Sequence, residues 1–472
     1  MNHNLISLLI LSCLTVAVHA AERPNILLIS IDDLNDWVGC LQGHPQAQTP
    51  HIDRLAARGT LFANTHCQSP VCNPSRASML TGRYPHTTGI YFLSPDLQSA
   101  PALKGVLTLP EAFASVGYQT LAIGKIFHGR DARFFQQYGG TNGGFGPRPE
   151  RKLSQPHGHP LWDWGAFPES DGQMPDMIAA KWAVQKLQQN FSSPFFMAIG
   201  FYRPHVPMFA PQKWFDRHPR NHLALPQVLV DDRSDLSQYA IDLTNLNHVS
   251  PTHEWMTEAK QWRHAVQSYL ASCTFVDHCV GMVLDALEAG PHRDNTIIVL
   301  FSDHGFHLGE KQRWAKRSLW EDGTRVPLII TAPEYQPGRR TDRPAELLDI
   351  YPTLLELAGL KVDPEQQGQS LVPLLNNPTQ KWEHPAITSF GPGNFSIRTT
   401  RYRYIQYRDG SQELYDHQTD PDEWNNLVTN PDLHSIVKTL SDHIPRQPHA
   451  LLPGDSTGHK AFHAANKRAG IP

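Results

Sequence analysis

Four short apolar runs along the chain are each followed at once by polar or charged residues. Such runs are typical of strands that are buried on both faces of a parallel sheet. The runs, with the residues that follow them, are 25–31 before Asp32-Asp33, 120–123 before Gly124-Lys125, 195–199 before Tyr202 to His205, and 296–301 before Ser302 to Gly305.

Helical patterns separate these runs. Thr49-Pro50 predicts the start of a helix that ends at Gly59, and residues 260–288 carry a long helical pattern that ends at Gly290. Strands that alternate with helices predict an α/β sheet with helices on both faces. Ligands of such sheets bind outside the carboxyl ends of the strands, so we expect the polar residues after the four runs to form one site.

Each polar cluster has a simpler interpretation when it is taken alone. An Asp pair after a strand commonly forms a turn or a helix cap, and a Lys-x-x-His sequence is commonly solvated surface. Four clusters in the same topological position are harder to explain as caps. Together they favour a functional site.

The N-terminus predicts export. Residues 5–18 are mostly apolar and Val18-His19-Ala20 resembles a cleavage site, so we interpret residues 1–20 as a signal peptide. The protein is then periplasmic or extracellular, and residues 10–13 leave a lipid-anchored form open. No later segment is expected to cross a membrane.

Composition is that of a soluble globular protein. The 472 residues are 40% hydrophobic and 18% charged, with a net charge of −4 and no basic stripe, so nucleic acid is not an expected partner. The length and a polar, proline-flanked linker at 376–384 predict a domain at 21–378 and a smaller one at 379–472. We expect a hairpin around Asp409-Gly410, and a loosely ordered tail at 455–472.

Five cysteines remain after removal of the signal peptide. An odd count in an exported chain indicates one thiol with a separate use. The other four are expected to be small buried hydrophobic residues, with one or two disulfide bridges left open. These four are Cys40, Cys67, Cys273 and Cys279.

The remaining cysteine, Cys72, begins the sequence Cys-Asn-Pro-Ser-Arg-Ala-Ser-Met-Leu-Thr-Gly-Arg. A lone cysteine is usually structural, but this segment closely resembles the type I sulfatases. The resemblance extends along nearly the whole mature chain. It includes Asp32-Asp33, Gly124-Lys125, Ser302 to Gly305, Asp349 to Leu354, Leu414 to Asp416, and Asp420-Pro421.

The resemblance implies an alkaline-phosphatase-like fold, with a large mixed sheet flanked by helices and a smaller C-terminal antiparallel-sheet domain. It implies that a formylglycine-generating enzyme oxidises Cys72 to formylglycine, which joins the ligands of one Ca²⁺. The carboxylates of Asp32, Asp33 and Asp303 offer the hard oxygens that Ca²⁺ prefers. His304 is a less usual ligand and is included on the resemblance alone.

Roles in sulfate ester hydrolysis follow from the same resemblance. Arg76 would hold the formylglycine diol or the sulfate, and Lys125 and Lys316 would hold other sulfate oxygens. His205 or Lys316 would protonate the departing sugar oxygen. His128 would take a proton from the second hydroxyl of the diol.

The substrate is expected to be a sulfated saccharide. Lys125-x-x-His128, Arg203-Pro204-His205 and Trp314-Ala315-Lys316 resemble the iduronate-2-sulfatase branch, which favours exo-acting removal of a 2-O-sulfate from a terminal uronic acid. The carboxylate of a uronate needs further cations, for which the candidates are Arg130, Arg203 and Arg313.

Three other functions stay open at this point. The substrate could be another sulfated glycan, of algal or fucose type. The chain could instead be a phosphonate or phosphate monoester hydrolase of the same superfamily, although the expectation of one catalytic Ca²⁺, without ligands for a second metal beside it, favours a sulfate ester. It could also be a catalytically inactive sugar-binding protein in which Cys72 stays unmodified.

Overall fold

A mixed sheet of nine strands lies at the centre of the computed structural model, which describes residues 23–129, 131–154, 158, 161–245 and 249–471. The strands of this part are β1 Asn25–Ile31, β2 Thr60–His66, β3 Gln119–Gly124, β4 Gln137–Tyr138, β5 Trp164–Ala166, β6 Phe195–Phe201, β7 Met208–Ala210, β8 Thr296–Ser302, β9 His307–Leu308, β10 Trp314–Ala315, β11 Arg325–Val326, β12 Leu328–Thr331 and β13 Arg339–Glu346. The order in the nine-stranded sheet is β11-β2-β12-β8-β1-β6-β3-β4, with β13 also paired to β2. Outside this sheet, β5 pairs with β7, and β9 pairs with β10. The predicted signal peptide, residues 1–20, and Arg130 lie outside the described residues.

Helices cover both faces of this sheet, as the alternating pattern predicts. The helices of this part are α1 Pro50–Arg58, α2 Cys72–Thr81, α3 Pro85–Thr88, α4 Leu109–Ser115, α5 Pro175–Leu187, α6 Gln212–Phe215, α7 Gln238–Thr244, α8 His253–Glu258, α9 Trp262–Ala289, α10 Glu321–Thr324, α11 Ile350–Leu357 and α12 Val372–Asn376. Of the two helices that the sequence predicts, the first is α1 and the long one is α9.

The four predicted strands are neighbours in the middle of the sheet. In the order β8-β1-β6-β3 they are all parallel. Ile31 at the end of β1 pairs with Phe201 on one side and with Ser302 on the other. The residues after these strands therefore lie side by side, which confirms that the polar clusters meet at one edge.

The apolar runs are buried on both faces, as strands in the middle of a parallel sheet should be. Leu27 and Ile29 of β1 belong to the core beneath α1, α5 and α9. Ile26 and Leu28 point to the other face and belong to the core beneath α4 and α11. The strand ends are thus held rigidly from both sides.

Among the described residues, α9 is the one helix that is long and apolar enough to cross a membrane, and the sequence did not predict such a segment. In the structure, 78% of its most apolar window is buried in the protein. Its side chains, Val276 and Val280 among them, pack in the core against the sheet. The apolar composition of α9 is therefore that of a core helix.

A second, antiparallel sheet forms the C-terminal part, as expected, and the hairpin between β16 and β17 turns at Asp409-Gly410. Its elements are β14 Ala386–Ser389, β15 Phe395–Arg398, β16 Tyr402–Gln406, β17 Gln412–Asp416 and α13 His434–Ser441. Residues 377–385 contain no helix or strand. The predicted boundary between 378 and 379 falls within them, and the division into two domains stays a prediction.

The prediction of a loosely ordered tail at 455–472 is wrong. Thr457–Arg468 forms helix α14, whose Phe462 is buried and lies beside the ring of Phe92. The hydroxyl of Tyr239 in α7 donates to Asn466 Oδ1 at 2.6 Å. The sequence of this segment is polar because one face alone is buried, against partners far away in the chain.

All five cysteines of the described residues are free, so the disulfide bridges left open by the sequence are not formed. Cys67, Cys72, Cys273 and Cys279 are buried, and Cys40 is partly exposed. The prediction of small buried hydrophobic residues is confirmed for Cys67, Cys273 and Cys279, and not for Cys40.

Candidate active site

The two carboxylates after β1 are fully buried at the centre of the edge. Asp33 has a φ of 63°, a conformation that costs energy for a residue with a side chain and often occurs at functional sites. The backbone is held there by the Tyr269 hydroxyl, which donates to the Asp33 carbonyl at 2.7 Å. The Asp33 amide in turn donates to Asp303 Oδ1 at 3.1 Å, which joins the ends of β1 and β8.

Helix α2 begins at Cys72. The backbone N–H groups and the dipole at a helix N-terminus favour an anion there. The Cys72 side chain is buried, with its Sγ 3.2 Å from His304 Nε2 and 3.1 Å from Lys316 Nζ. The thiol therefore lies between a histidine that follows β8 and a lysine that follows β10.

Arg76, one turn further along α2, binds carboxylates and carbonyls. Its Nε donates to Asp303 Oδ2 at 2.8 Å and its Nη2 to Asp32 Oδ1 at 3.2 Å. Its Nη1 donates to the carbonyls of Lys125 at 2.7 Å and Ile126 at 3.0 Å. Arg76 thus fixes the carboxylates after two strands, and its predicted contact with the diol or the sulfate stays a prediction.

Lys125 forms a buried ion pair with Asp32, with its Nζ 2.8 and 2.6 Å from the two oxygens. Burial alone would raise the pKa of Asp32, but neighbouring cations, Lys125 first, hold that pKa well below its usual range.

The close approach of β3 and β6 at this point requires glycines. A Cβ at Gly200 would lie 2.0 Å from the Lys125 carbonyl oxygen, and one at Gly124 would lie 2.0 Å from that of Gly200.

His304 presents an unprotonated nitrogen to the carboxylates. Its Nδ1 lies 3.0 Å from the carbonyl of Gly305, which accepts hydrogen bonds only, so Nδ1 carries the proton of the neutral ring. Nε2 then carries a lone pair and lies 3.3 Å from Asp33 Oδ1 and 3.6 Å from Asp303 Oδ2. All three atoms are hydrogen-bond acceptors, so they repel one another. A cation between these atoms would turn that repulsion into coordination.

A second observation points to a cation at the same place. Asp33 Oδ2 is buried and has no hydrogen-bond partner among the described residues, although Lys316 Nζ binds Oδ1 of the same carboxylate at 2.6 Å. Burial raises the pKa of Asp33 to about 7 despite that lysine. One ligand atom from each member of the following set lies within 4.8 Å of the others: Asp32, Cys72, Asp303 and His304. This donor set and the unpaired Asp33 oxygen fit a hard divalent cation.

His205 reaches the site from the loop after β6, with its Nε2 3.8 Å from Asp33 Oδ2. Its Nδ1 lies 2.6 Å from the Val206 carbonyl and must carry the proton. The Nε2 of the neutral ring is therefore an acceptor. His205 can receive a proton or a hydrogen bond in this state, and must first be protonated to act as an acid.

Two of the remaining predicted residues take places that the sequence did not define. His128 lies at the exposed rim, beside a small pocket that it lines together with Asn73. The prediction that Arg203 binds the substrate carboxylate is wrong. Arg203 is fully buried and donates to the carbonyls of Phe209 at 2.9 Å and Phe145 at 2.7 Å. Its guanidinium supports the loop that carries His205 and is not available to a substrate.

The sequence did not indicate two residues that lie at or beside the site. Arg317 is buried next to Lys316, where burial lowers its pKa and the nearby Asp33 carboxylate partly opposes that effect; its position beside Lys316 was the available signal. Tyr269 lies in the middle of α9 and holds Asp33, and no local pattern marked it.

The comparison with protein families agrees with this geometry. The family model described as "Sulfatase" matches residues 24–360, which is more than half of the chain. The chain belongs to the sulfatase family. The model described as "N-sulphoglucosamine sulphohydrolase, C-terminal" matches residues 309–449. The protein is thus a sulfuric ester hydrolase, and its match to the iduronate-2-sulfatase branch can be judged from relatives.

Three curated relatives are similar over most of their length. A "Sulfatase" of Formosa agariphila is 41% identical, covering 90% of this chain and 87% of that protein. The iduronate 2-sulfatase of Mus musculus is 30% identical, covering 93% of this chain and 92% of that protein. The delta 4,5-hexuronate-2-O-sulfatase of Bacteroides thetaiotaomicron is 29% identical, covering 91% of this chain and 90% of that protein. The chain therefore resembles the iduronate-2-sulfatase branch, as predicted.

Solved structures have the same fold. A protein in complex with its substrate D-glucosamine-2-N,6-O-disulfate matches with a TM-score of 0.72 and 25% identity, covering 89% of this chain and 96% of that one. The phosphonate monoester hydrolase of Agrobacterium radiobacter matches with a TM-score of 0.73 and 21% identity, covering 89% and 94%. The predicted alkaline-phosphatase-like fold is confirmed. The second likeness concerns the fold alone.

Proposed function

We propose that the protein is an exported, calcium-dependent sulfatase that removes the 2-O-sulfate from a terminal uronic acid of a sulfated glycan. The observation that carries this proposal is the convergence of Cys72 with three buried carboxylates, His304 and two lysines at one sheet edge. Two relatives named for 2-O-sulfated uronates support the choice of sugar. Export rests on the predicted signal peptide at 1–20.

The nucleophile is proposed to be a formylglycine that a formylglycine-generating enzyme makes from Cys72. Its hydrated aldehyde would supply a hydroxyl group where Sγ lies now, at the start of α2. Lys316 Nζ, 3.1 Å from Sγ, would stabilise negative charge at this position. His128 at the rim remains the proposed base for the second hydroxyl.

The proposed metal ligands are Asp32, Asp33, Asp303 and His304, with an oxygen of the residue at position 72. Ca²⁺ would supply positive charge that neutralises the sulfate oxygens and favours the attacking oxyanion. Arg76 holds Asp303 and Asp32 in place from behind, at 2.8 and 3.2 Å. Lys125 and Lys316 leave N–H groups for the sulfate.

Lys316 is the better candidate for protonating the departing sugar oxygen. It is an ammonium group that already carries the proton, whereas the neutral ring of His205 presents an unprotonated Nε2. The family resemblance left both residues open. The tautomer of His205 favours Lys316 as the acid and His205 as a hydrogen-bond acceptor for a substrate hydroxyl.

Two arginines beside Lys316 are proposed to bind the uronate carboxylate. Arg313 and Arg317 are buried, and in the part of the chain that the structure describes neither lies within 4 Å of a carboxylate. The Nε of each has no hydrogen-bond partner there. Burial lowers the pKa of Arg313 to about 9 and that of Arg317 to about 10. Buried guanidinium groups that no carboxylate pairs directly suit a substrate with a second negative charge.

A desulfation screen on defined saccharides tests this function. We expect fast release of sulfate from 2-O-sulfated uronates at a non-reducing end, and slow release from neutral 6-O-sulfated hexosamines. Equal rates on both would contradict the uronate proposal and would favour another sulfated glycan. Faster turnover of a phosphonate monoester than of any sulfate ester would favour the phosphonate hydrolase alternative, and no turnover would favour an inactive sugar-binding protein.

A further inference from the structure

A second cluster of metal-binding side chains lies near, but apart from, the catalytic set. It consists of His307 in β9, Glu310 in the turn after β9, and Asp322 in α10. One nitrogen or oxygen atom of each lies within 4.8 Å of the others. The proposed catalytic mechanism uses none of these three residues.

The imidazole of His307 is placed as in a metal ligand. The residue is fully buried, and its Nε2 lies 2.6 Å from the hydroxyl oxygen of Ser318. Its Nδ1 has no hydrogen-bond partner among the described residues and lies 3.7 Å from Asp322 Oδ2, which is too far for a hydrogen bond. Metal-binding histidines usually donate their other N–H to a polar neighbour and so leave the second nitrogen free for the ion, and the hydroxyl oxygen of Ser318 can accept such a bond from Nε2.

The two carboxylates lack a compensating cation. In the described part of the chain no lysine or arginine lies within 4 Å of a carboxylate oxygen of Glu310 or Asp322. Two cations of the same region bind other carboxylates: Arg325 pairs with Asp36, and Lys311 pairs with Asp232.

The charges around these carboxylates increase the repulsion. Burial raises the pKa of Glu310 to about 7, and burial together with the charges of Glu310 and Asp36 raises that of Asp322 well above its usual range. Negative charges that are crowded in this way are stable when they bind a cation.

We propose that His307 Nδ1, Glu310 and Asp322 bind one divalent first-row transition metal ion, such as Zn²⁺. One imidazole and two carboxylates are a donor set that suits Zn²⁺ or Mn²⁺, whereas Ca²⁺ prefers oxygen ligands alone. The ion would join the turn at Glu310, which leads to Lys316, to helix α10. This site does not depend on the proposed sugar or on the formylglycine.

Zinc titration of the full-length protein in Ca²⁺-saturated buffer tests the proposal. We expect one Zn²⁺ per chain by calorimetry and elemental analysis, and a melting temperature that rises with Zn²⁺. The double variant Glu310→Gln/Asp322→Asn should bind Zn²⁺ at least tenfold more weakly and lose the rise. The control Asp294→Asn, which removes an exposed carboxylate, should behave as the wild type.

A milder variant covers the case in which the double variant does not fold. Ser318→Ala removes the partner of His307 Nε2 and should weaken Zn²⁺ binding by about tenfold, the usual effect of losing such a contact. Unchanged zinc affinity in the double variant, or in Ser318→Ala if the double variant does not fold, would overturn the proposal. Zinc binding that disappears in Asp303→Asn instead would assign the ion to the catalytic centre and would also overturn it.

Discussion

The ammonium group of Lys316 lies 3.1 Å from the sulfur of Cys72, although 244 residues separate the two in the chain. The lysine comes from the segment after β10, and the cysteine from the first turn of α2. The same Nζ binds Asp33 Oδ1 at 2.6 Å. One side chain therefore contacts both the proposed nucleophile position and a proposed metal ligand, and can reach a leaving group between them.

Replacing Lys316 with Met tests its role as the general acid. A sugar alkoxide needs a proton to leave, whereas nitrophenolate leaves readily without one. We expect kcat on a sulfated sugar to fall by roughly hundredfold or more, and to fall at least tenfold less on nitrophenyl sulfate. Steady-state kinetics on both substrates measures the difference.

Two further variants serve as controls for this test. Lys213→Met removes a largely exposed lysine that pairs with Asp171 and should leave both rates unchanged. If His205→Gln, and not Lys316→Met, shows the larger loss on the sugar substrate, then His205 is the acid and the role assigned to Lys316 is wrong.

Removal of the metal should affect activity more than stability. Arg76, Lys125 and Lys316 already form ion pairs with the buried carboxylates, so the empty site keeps partial neutralisation. We expect chelation to lower kcat by roughly hundredfold or more and the melting temperature by only a few degrees, with recovery on adding Ca²⁺. Full activity in a sample in which elemental analysis finds no metal would contradict the calcium assignment.

Asp277 gives a pH-dependent contribution to stability. Its carboxylate in α9 accepts the N–H groups of His51 at 3.1 Å and Ile52 at 2.8 Å at the start of α1. Burial raises its pKa to about 7. Because this folded-state pKa lies above the ordinary value, the protonated carboxyl stabilises the folded state. This contribution to the free energy of unfolding is complete below about pH 4 and is lost as the pH rises through about 7. The free energy of unfolding should therefore fall by roughly 2 to 3 kcal/mol between about pH 5 and 8.

The variant Asp277→Asn isolates this group. It keeps an oxygen that can accept from α1 but cannot ionise, so its stability should fall less between about pH 5 and 8 than that of the wild type. Urea unfolding at both pH values measures the change. Asp285→Asn, at an exposed position of the same helix, is the control. Identical pH dependence in Asp277→Asn and the wild type would show that this carboxyl is not the source.

Much of the site could be predicted from sequence because its residues follow strands. Asp32 and Asp303 come directly after apolar runs, and parallel pairing of those runs places them together. Tyr269 could not be predicted, because an aromatic residue in a core helix has the same pattern whether or not its hydroxyl holds Asp33. Arg203 was assigned to substrate wrongly, since its sequence does not show that backbone carbonyls occupy its guanidinium. Helix α14 was missed because its partners lie hundreds of residues earlier.

Arg317 tests the recognition of a second negative charge. Arg317→Gln should raise KM for a 2-O-sulfated uronate by roughly tenfold to hundredfold, the effect of losing a charged hydrogen bond. Nitrophenyl sulfate has no carboxylate, so its KM should change little. The exposed Arg293 provides the matched control Arg293→Gln, which should change neither. Equal changes of KM on both substrates would show that Arg317 supports the site in general and does not select a carboxylate.

The central claim is that position 72 carries the nucleophile as formylglycine. Mass spectrometry of the peptide that contains Cys72, from protein made in its native host, tests it most directly. We predict that the thiol is replaced by an aldehyde or its hydrate, and that Cys72→Ala folds normally but has no turnover. A plain thiol in every copy of a fully active preparation would contradict the account.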